Sequence, residues 1–552
     1  MADITEFTAL RGLRDALQTI IDELAREGAA AGTPRVELER PRDEAHGDYA
    51  TNAALLLAPL LRANPRAVAE QIAERAGDLP GVASISVAGP GFINVTMTDG
   101  WFLETVQMAL EAGSRFGSNV IANAEPILLE FVSANPLGPL VAASSRHAAF
   151  GDSLARVLRH AGHDVATEYY VNDAGRQVQL FGESIHARVT GAPIPQDGYE
   201  GAYVIELAAS LGATADDDPA ELGRRGVAAM VESIQASIAR LGVSFDRYQS
   251  ERDLHDAGAV ERGVDALRAG GHTFDEDGAT ILRTTAFGDD RDRALLRANG
   301  VPTYFAADVA YLQDKFARIG AVGRLIYVLG ADHHGYIGRL KAATQALGHD
   351  ADDCEIVIMQ MVNFVEGGEQ KQMSKRKGTF VTSDELVDRI GADATRFLML
   401  QRSHDQSLDL DLDIAEQQND SNPVYYVQYA HARLCSIRRK VEAEGAAPEI
   451  DLAAMVAAPG EPLHPSEKRL IKRLGDFPLL IADAAERRQP HRLFHFAQEL
   501  ASDVAKFYRD CRVVGEEISP EVTARRLATC DAARSVLALN LDLVGVGAPD
   551  RM

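Results

Sequence analysis

At 552 residues the chain is longer than one hydrophobic core ordinarily serves, and its length predicts about three or four domains. With 46% hydrophobic and 25% charged residues it falls in the globular range, which excludes a disordered or fibrous chain. A formal net charge of −25 excludes a protein that holds nucleic acid by bulk electrostatics, because phosphate contacts need Lys and Arg; any polyanion site has to be a local patch.

In chain order, helical periodicity comes first, over residues 8–29, where Leu10, Leu13, Leu17, Ile20, Ile21 and Leu24 recur, and a second helical stretch follows the turn-like His46-Gly47-Asp48. From Val82 to Thr98, Ile85 and Val87, then Phe92 and Val95, alternate across Gly89-Pro90-Gly91, which predicts a pair of strands. Residues 1–115 thus read as an N-terminal α+β unit. From Pro126 an apolar strand through Val132 runs into Asn135-Pro136-Leu137-Gly138-Pro139, and a helix follows from about Ser144 to His160. A second strand, loop and helix unit spans Ile326 to Leu347 through Ala331-Asp332-His333-His334-Gly335. Such alternation over residues 116–405 predicts a parallel sheet with ligands at its strand ends. Residues 190–290, rich in Gly and Asp with two helical stretches, read as an insertion in that unit. Past Leu408 strand signals disappear, and residues 406–552 read as an all-α bundle with a break at Pro459 to Pro465.

Cys354, Cys435, Cys511 and Cys530 are far apart and show no C-x-x-C spacing, so neither a disulfide framework nor a zinc site is indicated. No segment reaches about 18 uninterrupted apolar residues, and the reading is a cytoplasmic chain with no membrane span. Lys468, Arg469, Lys472, Arg473, Arg487, Arg488 and Arg492 gather in one stretch, either a polyanion patch or a solvated helix face.

The sharpest local signal is Gln372-Met373-Ser374-Lys375-Arg376-Lys377-Gly378. A lysine loop of this kind can close on a triphosphate and neutralise the charge that develops on pyrophosphate, although an isolated one is more often a surface turn. Met373-Ser374-Lys375-Arg376 resembles the second signature of class I aminoacyl-tRNA synthetases. Glu130 to Pro136, Tyr170 to Gln177, Gly330 to Tyr336, Val427 to Arg433, His46 to Asn52 and Ala548 to Met552 resemble the arginyl-tRNA synthetases in particular, nearly end to end.

That resemblance implies a multidomain α/β fold: a class I Rossmann-like catalytic domain with an insertion, an N-terminal α+β domain contacting tRNA, and a C-terminal helical anticodon-binding domain. It implies an arginine--tRNA ligase that uses ATP with Mg2+, takes arginine and tRNA(Arg), and works as a monomer. Carried onto matching positions, Glu130, Ser133 and Asn135 hold arginine's amino group and side chain, and Tyr304 and Asp308 pack on and pair with its guanidinium, which wants a carboxylate and an aromatic face. Pro136, Gly138, Pro139, Ala143, Gly330, Asp332, His333 and Met373 face ATP. Lys375 contacts pyrophosphate, assisted by Lys377, Ser374 and Ser144. Tyr425, Tyr429 and Arg433 offer stacking faces and a cation for single-stranded RNA, though tyrosines at helical spacing are more often core.

One segment departs from the family. Where its pattern has His-x-Gly-His after Pro-Leu, this chain has Val141-Ala142-Ala143-Ser144. Three accounts stand: replacement donors from Ser144, Arg146, His147 or the helix N-terminus; a larger share for the lysine loop and magnesium; or a non-catalytic RNA-binding or regulatory paralogue. A more distant reading takes Asp332-His333-His334 with Asp409, Asp411 and Asp413 as the metal ligands of a phosphoesterase.

Overall fold

The computed structural model describes residues 9–41, 43, 46–320, 322–371, 382–445 and 449–552. The first helix, Ala9–Glu27, buries Leu13, Leu17, Ile20, Ile21 and Leu24 as its periodicity predicts. After His46 the chain differs from the single helix expected there. A short strand β1 (Tyr49–Thr51) precedes two helices, Ala53–Leu61 and Pro65–Ala76. Arg62 turns left-handed between them, and Asn64 accepts from the Arg66 and Ala67 amides with Pro65 at the first helical position, which starts a new helix rather than continuing the old one. Strands β2 (Val82–Ala88) and β3 (Phe92–Met97) form the predicted hairpin, and β1 adds to β3 on its other edge.

The next strands are β4 (Pro126–Glu130), β5 (Asp164–Val171), β6 (Arg247–Ser250), β7 (Thr273–Glu276), β8 (Ala279–Leu282), β9 (Arg293–Leu296), β10 (Arg324–Gly330) and β11 (Cys354–Met359). Five of them make one sheet in the order β11-β10-β4-β5-β6, and every pairing in it is parallel. Ile127 to Leu129 and Leu325 to Val328 are buried runs, as a strand covered on both faces requires. Because β5 lies to one side of β4 and β10 to the other, the chain reverses its winding between β4 and β10, and a crevice opens beyond their carboxyl ends.

Residues 190–290 hold more than the two helices expected: Ala202–Ser210, Pro219–Arg240, Glu251–Asp256 and Ala259–Ala269 are all helical, and β6 returns to the main sheet as its edge. A second correction concerns the last strands. After β12 (Val362–Glu366) and β13 (Glu369–Lys371), β14 (Leu408–Asp411) pairs in parallel with β12 just where strand signals were expected to have ended. Its Asp-Leu alternation is that of a half-buried strand, with Leu408 and Leu410 inside. Each acid has a structural partner: Asp409 accepts from Asn363 Nδ2 at 2.8 Å, Asp411 caps a short helix through the Ile414 amide at 3.0 Å, and Asp413 accepts from the Gly367 amide at 2.7 Å. They are not a metal-binding set.

The C-terminal helices after β14 include Pro423–Ala443, the short Leu452–Ala457, Pro465–Gly475, Phe477–Glu486, His491–Asp510 and Pro520–Leu543. The basic stretch read as a possible polyanion patch is spent inside the molecule. Lys468 pairs with Asp99 at 2.7 Å, Lys472 with Asp48 at 2.6 Å, Arg473 with Asp503 at 3.2 Å, Arg488 with Glu355 at 3.1 Å, and Arg487 and Arg492 both with Asp483 at 2.6 Å. Among the described residues, no helix is long and apolar enough to cross a membrane.

Arg396, 1% exposed, pins the bundle's end to the sheet unit: it pairs with Asp152 and donates to Val544 O at 2.9 Å and Leu241 O at 2.9 Å. Gly545 has φ +67°, and a methyl group there would overlap that guanidinium. Gly545→Ala should therefore destabilise the chain by about 3 kcal/mol or more, from the left-handed backbone and the displaced buried pair. Denaturant unfolding beside Gly300→Ala, a left-handed position with open space, checks it; equal losses would mean backbone strain alone.

Candidate functional site

A cavity of about 220 Å³ lies beyond the carboxyl ends of β4 and β10, where the topology opens the crevice. Glu130, the last residue of β4, is buried there; Ser133 Oγ donates to its Oε1 at 2.9 Å, and Lys315, itself 0% exposed, pairs with its Oε2. The Lys315 ammonium sits 4.0 Å from the Tyr311 ring centroid and 3.9 Å from that of Tyr327, a cage that replaces lost water with aromatic faces. Val132 and Ser133 take φ of +67° and +36°. Left-handed backbone is costly for a β-branched residue, and this kink is what turns Ser133 back onto Glu130 while its Oγ also accepts from the Tyr170 amide at 3.1 Å.

Asp308 enters the cavity from one turn inside helix Tyr304–Ile319. Burial, and then the neighbouring Glu251 carboxylate, push its carboxyl up to about 7. Glu251 is 5% exposed and is itself raised by burial, with His255 3.7 Å away acting against that rise. Its position is fixed from two sides: Ser250 caps helix Glu251–Asp256, and Asp173 accepts from Ser250 Oγ at 2.7 Å and from the Arg252 amide at 3.0 Å. Asp308 faces the cavity with the Glu251 carboxylate near it, itself 3.7 Å from His255 Nε2, and a buried carboxyl raised in this way suits a cationic group. Glu251 escaped the sequence reading because it lies in the range taken as an insertion, where a capping Ser-Glu pair was its only signal. Tyr304, four residues before Asp308, does not line the cavity; it is 58% exposed, beside Gly175.

Gly330 and His333 line the other end, together with His147. Asp332 stands next to them, its carboxylate 3.6 Å from His333 Nε2. Asn135 lines this cavity and also an adjoining one of about 440 Å³, which Gly138 and Pro139 share with Tyr199 and Tyr203; Pro136 is buried between them in the chain. Ala143 and Ser144 line neither. Met373, Ser374, Lys375 and Lys377 lie outside the described residues. The next residues of that segment dock on the helix start: Thr382 bridges Val141, the Ser383 amide donates to Leu140 O at 2.8 Å, and Ser145 Oγ lies 2.9 Å from Ser383 Oγ.

The replacement donors considered for Val141 to Ser144 narrow sharply. Arg146 is 1% exposed and gives its hydrogen bonds to the carbonyls of Gln360 (2.8 Å), Ser403 (2.8 Å) and Gln406 (2.9 Å). The amides of Ser144, Ser145 and Arg146 already donate to Val141, Ala142 and Ala143 at 2.8 to 3.1 Å, so the helix start offers no free cradle.

In the bundle, Tyr425 and Tyr429 stack at 6.3 Å, and Arg433 lies 4.6 Å from the ring centroids of both Tyr429 and Tyr508. Tyr429, Arg433 and Tyr508 line a cleft of about 700 Å³ with Arg439, Lys440, Arg509, Arg512 and Arg551, and Tyr425 lies outside that lining. It is a cationic cleft assembled from three distant stretches and so hidden in the linear sequence.

Comparison with known proteins joins these parts. Residues 11–97 match the family described as Arginyl tRNA synthetase N terminal domain, residues 214–433 that described as tRNA synthetases class I (R), catalytic domain, and residues 427–552 the DALR anticodon binding domain. The chain is 45% identical to an arginine--tRNA ligase of Frankia alni (strain DSM 45986 / CECT 9034 / ACN14a), over 98% of this chain and 99% of that one. Its fold is similar to that of the Thermus thermophilus arginyl-tRNA synthetase, with a TM-score of 0.75 at 22% identity over 98% of this chain and 100% of that one. It is similar also to the arginyl-tRNA synthetase of Plasmodium falciparum, with a TM-score of 0.73 at 16% identity over 98% and 99%.

Proposed function

The chain belongs to the arginyl-tRNA synthetase family and is an arginine--tRNA ligase, and from that premise we propose how its own residues divide the work. The arginine carboxylate attacks the α-phosphate of ATP in line, giving arginyl-adenylate and pyrophosphate; a terminal ribose hydroxyl of tRNA(Arg) then attacks the acyl carbon and AMP leaves. Little covalent chemistry falls to the protein, so positioning and charge stabilisation carry the rate. Asp308, backed by Glu251, takes the guanidinium, and Tyr304 closes over it. Glu130, held by Ser133 and Lys315, takes the α-amino group, with Asn135 beside it. Gly330, Asp332 and His333 take the nucleoside, and Pro136, Gly138 and Pro139 the outer wall. ATP enters as its magnesium complex, the metal arriving with the substrate. Lys375, with Lys377, neutralises the leaving pyrophosphate, Ser374 assists them, and Met373 faces the nucleotide.

The observation that carries this reading is one cavity at the sheet's switch point lined by Glu130, by the buried and raised Asp308 carboxyl, and by Gly330 and His333. A site that pairs a buried guanidinium rejects neutral amino acids without a second, editing site. Residues 1–115 we assign to the tRNA body, 116–405 to catalysis and 406–552 to the anticodon loop, with Tyr425, Tyr429 and Arg433 as stacking contacts, in a monomer working in the cytoplasm.

Purified protein given ATP, total tRNA and arginine should charge tRNA. Arg433→Ala should raise the KM for tRNA about tenfold while the KM values for arginine and ATP hold, as loss of one stacked contact requires. Absence of charging at high enzyme, with tRNA binding retained, would return the chain to a binding-only paralogue.

A further inference from the structure

Resting on the ligase reading, we infer that His147 is a nucleotide-binding residue of this site, its Nε2 accepting a hydrogen bond from a ribose hydroxyl of ATP. His147 lies in the first turn of helix Ser144–Ala161 and lines the cavity with Gly330 and His333. The point where a Cβ on Gly330 would stand lies 4.0 Å from His147 Nε2 and 2.7 Å from Asp332 Oδ1, so the ring edge and that carboxylate share the corner of the cavity at the end of β10. Arg146 and the helix amides are committed elsewhere, which leaves His147 as the polar group that this part of the helix presents to the cavity.

The ring's bonding decides what it can recognise. The Ala143 carbonyl acts on the ring and can only accept, which favours a proton on the ring nitrogen turned toward it. Burial, and then the Arg146 guanidinium, lower the imidazole to about 4, so across the physiological range it is neutral and Nε2 is a bare acceptor. A bare acceptor repels phosphate oxygens and suits a hydroxyl. Of ATP's donors the ribose hydroxyls are the nearer fit: the α-phosphate must lie beside the arginine carboxylate at the Glu130 and Asn135 wall, the ribose follows it, and the adenine amino group is farthest away.

The test measures KM for ATP, 2′-deoxy-ATP and 3′-deoxy-ATP in the parent, His147→Ala and His147→Gln, with binding of the same three nucleotides to each protein followed by calorimetry without arginine. In the parent, one of the two analogues should be about three- to tenfold weaker than ATP, the worth of one neutral hydrogen bond. In His147→Ala that penalty should vanish because ATP itself weakens by the same factor, with the KM for arginine unchanged; His147→Gln, which keeps an acceptor, should retain part of it. An undiminished penalty in His147→Ala overturns the inference. So does a parent KM for ATP that climbs from pH 6 to 8 with a slope lost in His147→Ala, since that marks an imidazolium on phosphate. Calorimetry showing the hydroxyl dependence in a protein that charges no tRNA would leave His147 standing and remove the ligase reading alone.

Discussion

Asp308→Asn should lower kcat/KM for arginine by about 10²- to 10³-fold while the KM for ATP changes little, because one partner of a buried charge pair is then missing. The parent should also show a pH dependence that the variant lacks. In the empty cavity burial and Glu251 hold the Asp308 carboxyl up to about 7, whereas a guanidinium stays charged throughout. Below pH 7 arginine must displace a proton, so its KM should fall about tenfold per unit as pH rises toward 7 and then flatten. The stability of the free protein runs the other way. A carboxyl raised above its unfolded value contributes most below about pH 4 and loses that contribution as pH rises through 7. Saturating arginine relieves the loss, so it should raise Tm more at pH 8 than at pH 6. A KM for arginine that is flat between pH 6 and 8 would show that the guanidinium pairs elsewhere.

How much of this was legible in the sequence depended on how locally each feature is encoded. β4 and β10 are continuous apolar runs followed by Gly- and Pro-rich turns, and their carboxyl ends placed Glu130 and Gly330 at once. β6 was invisible because Arg-Tyr-Gln-Ser at a sheet edge needs no apolar pattern; its place comes from pairing with β5. Losing β6 also lost Glu251, one residue beyond it. The lysines and arginines of residues 468–492 misled because partners such as Asp48, Asp99 and Glu355 lie more than a hundred residues away, and the real cationic cleft joins Arg433, Arg512 and Arg551 only in three dimensions. The left-handed kink at Val132 and Ser133 runs against local preference, and such conflicts gather where a site needs a side chain turned inward.

That kink and Lys315 together hold Glu130, and Lys315→Met should be the most damaging single change in the sheet unit. The ammonium is fully buried, pairs with Glu130 Oε2 and lies against two tyrosine faces, so methionine removes the charge while keeping most of the volume. Glu130 is left 6% exposed with only the Ser133 hydroxyl, and breaking a buried pair from one side costs about 3–5 kcal/mol. Unfolding in denaturant should read that loss directly. Adding Glu130→Gln to Lys315→Met removes the stranded charge, so the double variant should regain most of the stability. With Glu130 taking the arginine α-amino group as proposed, it should not regain charging. Stability and activity recovering together would mean that Glu130 serves the fold alone; stability recovering without activity would separate the pair's structural work from the carboxylate's contact with arginine.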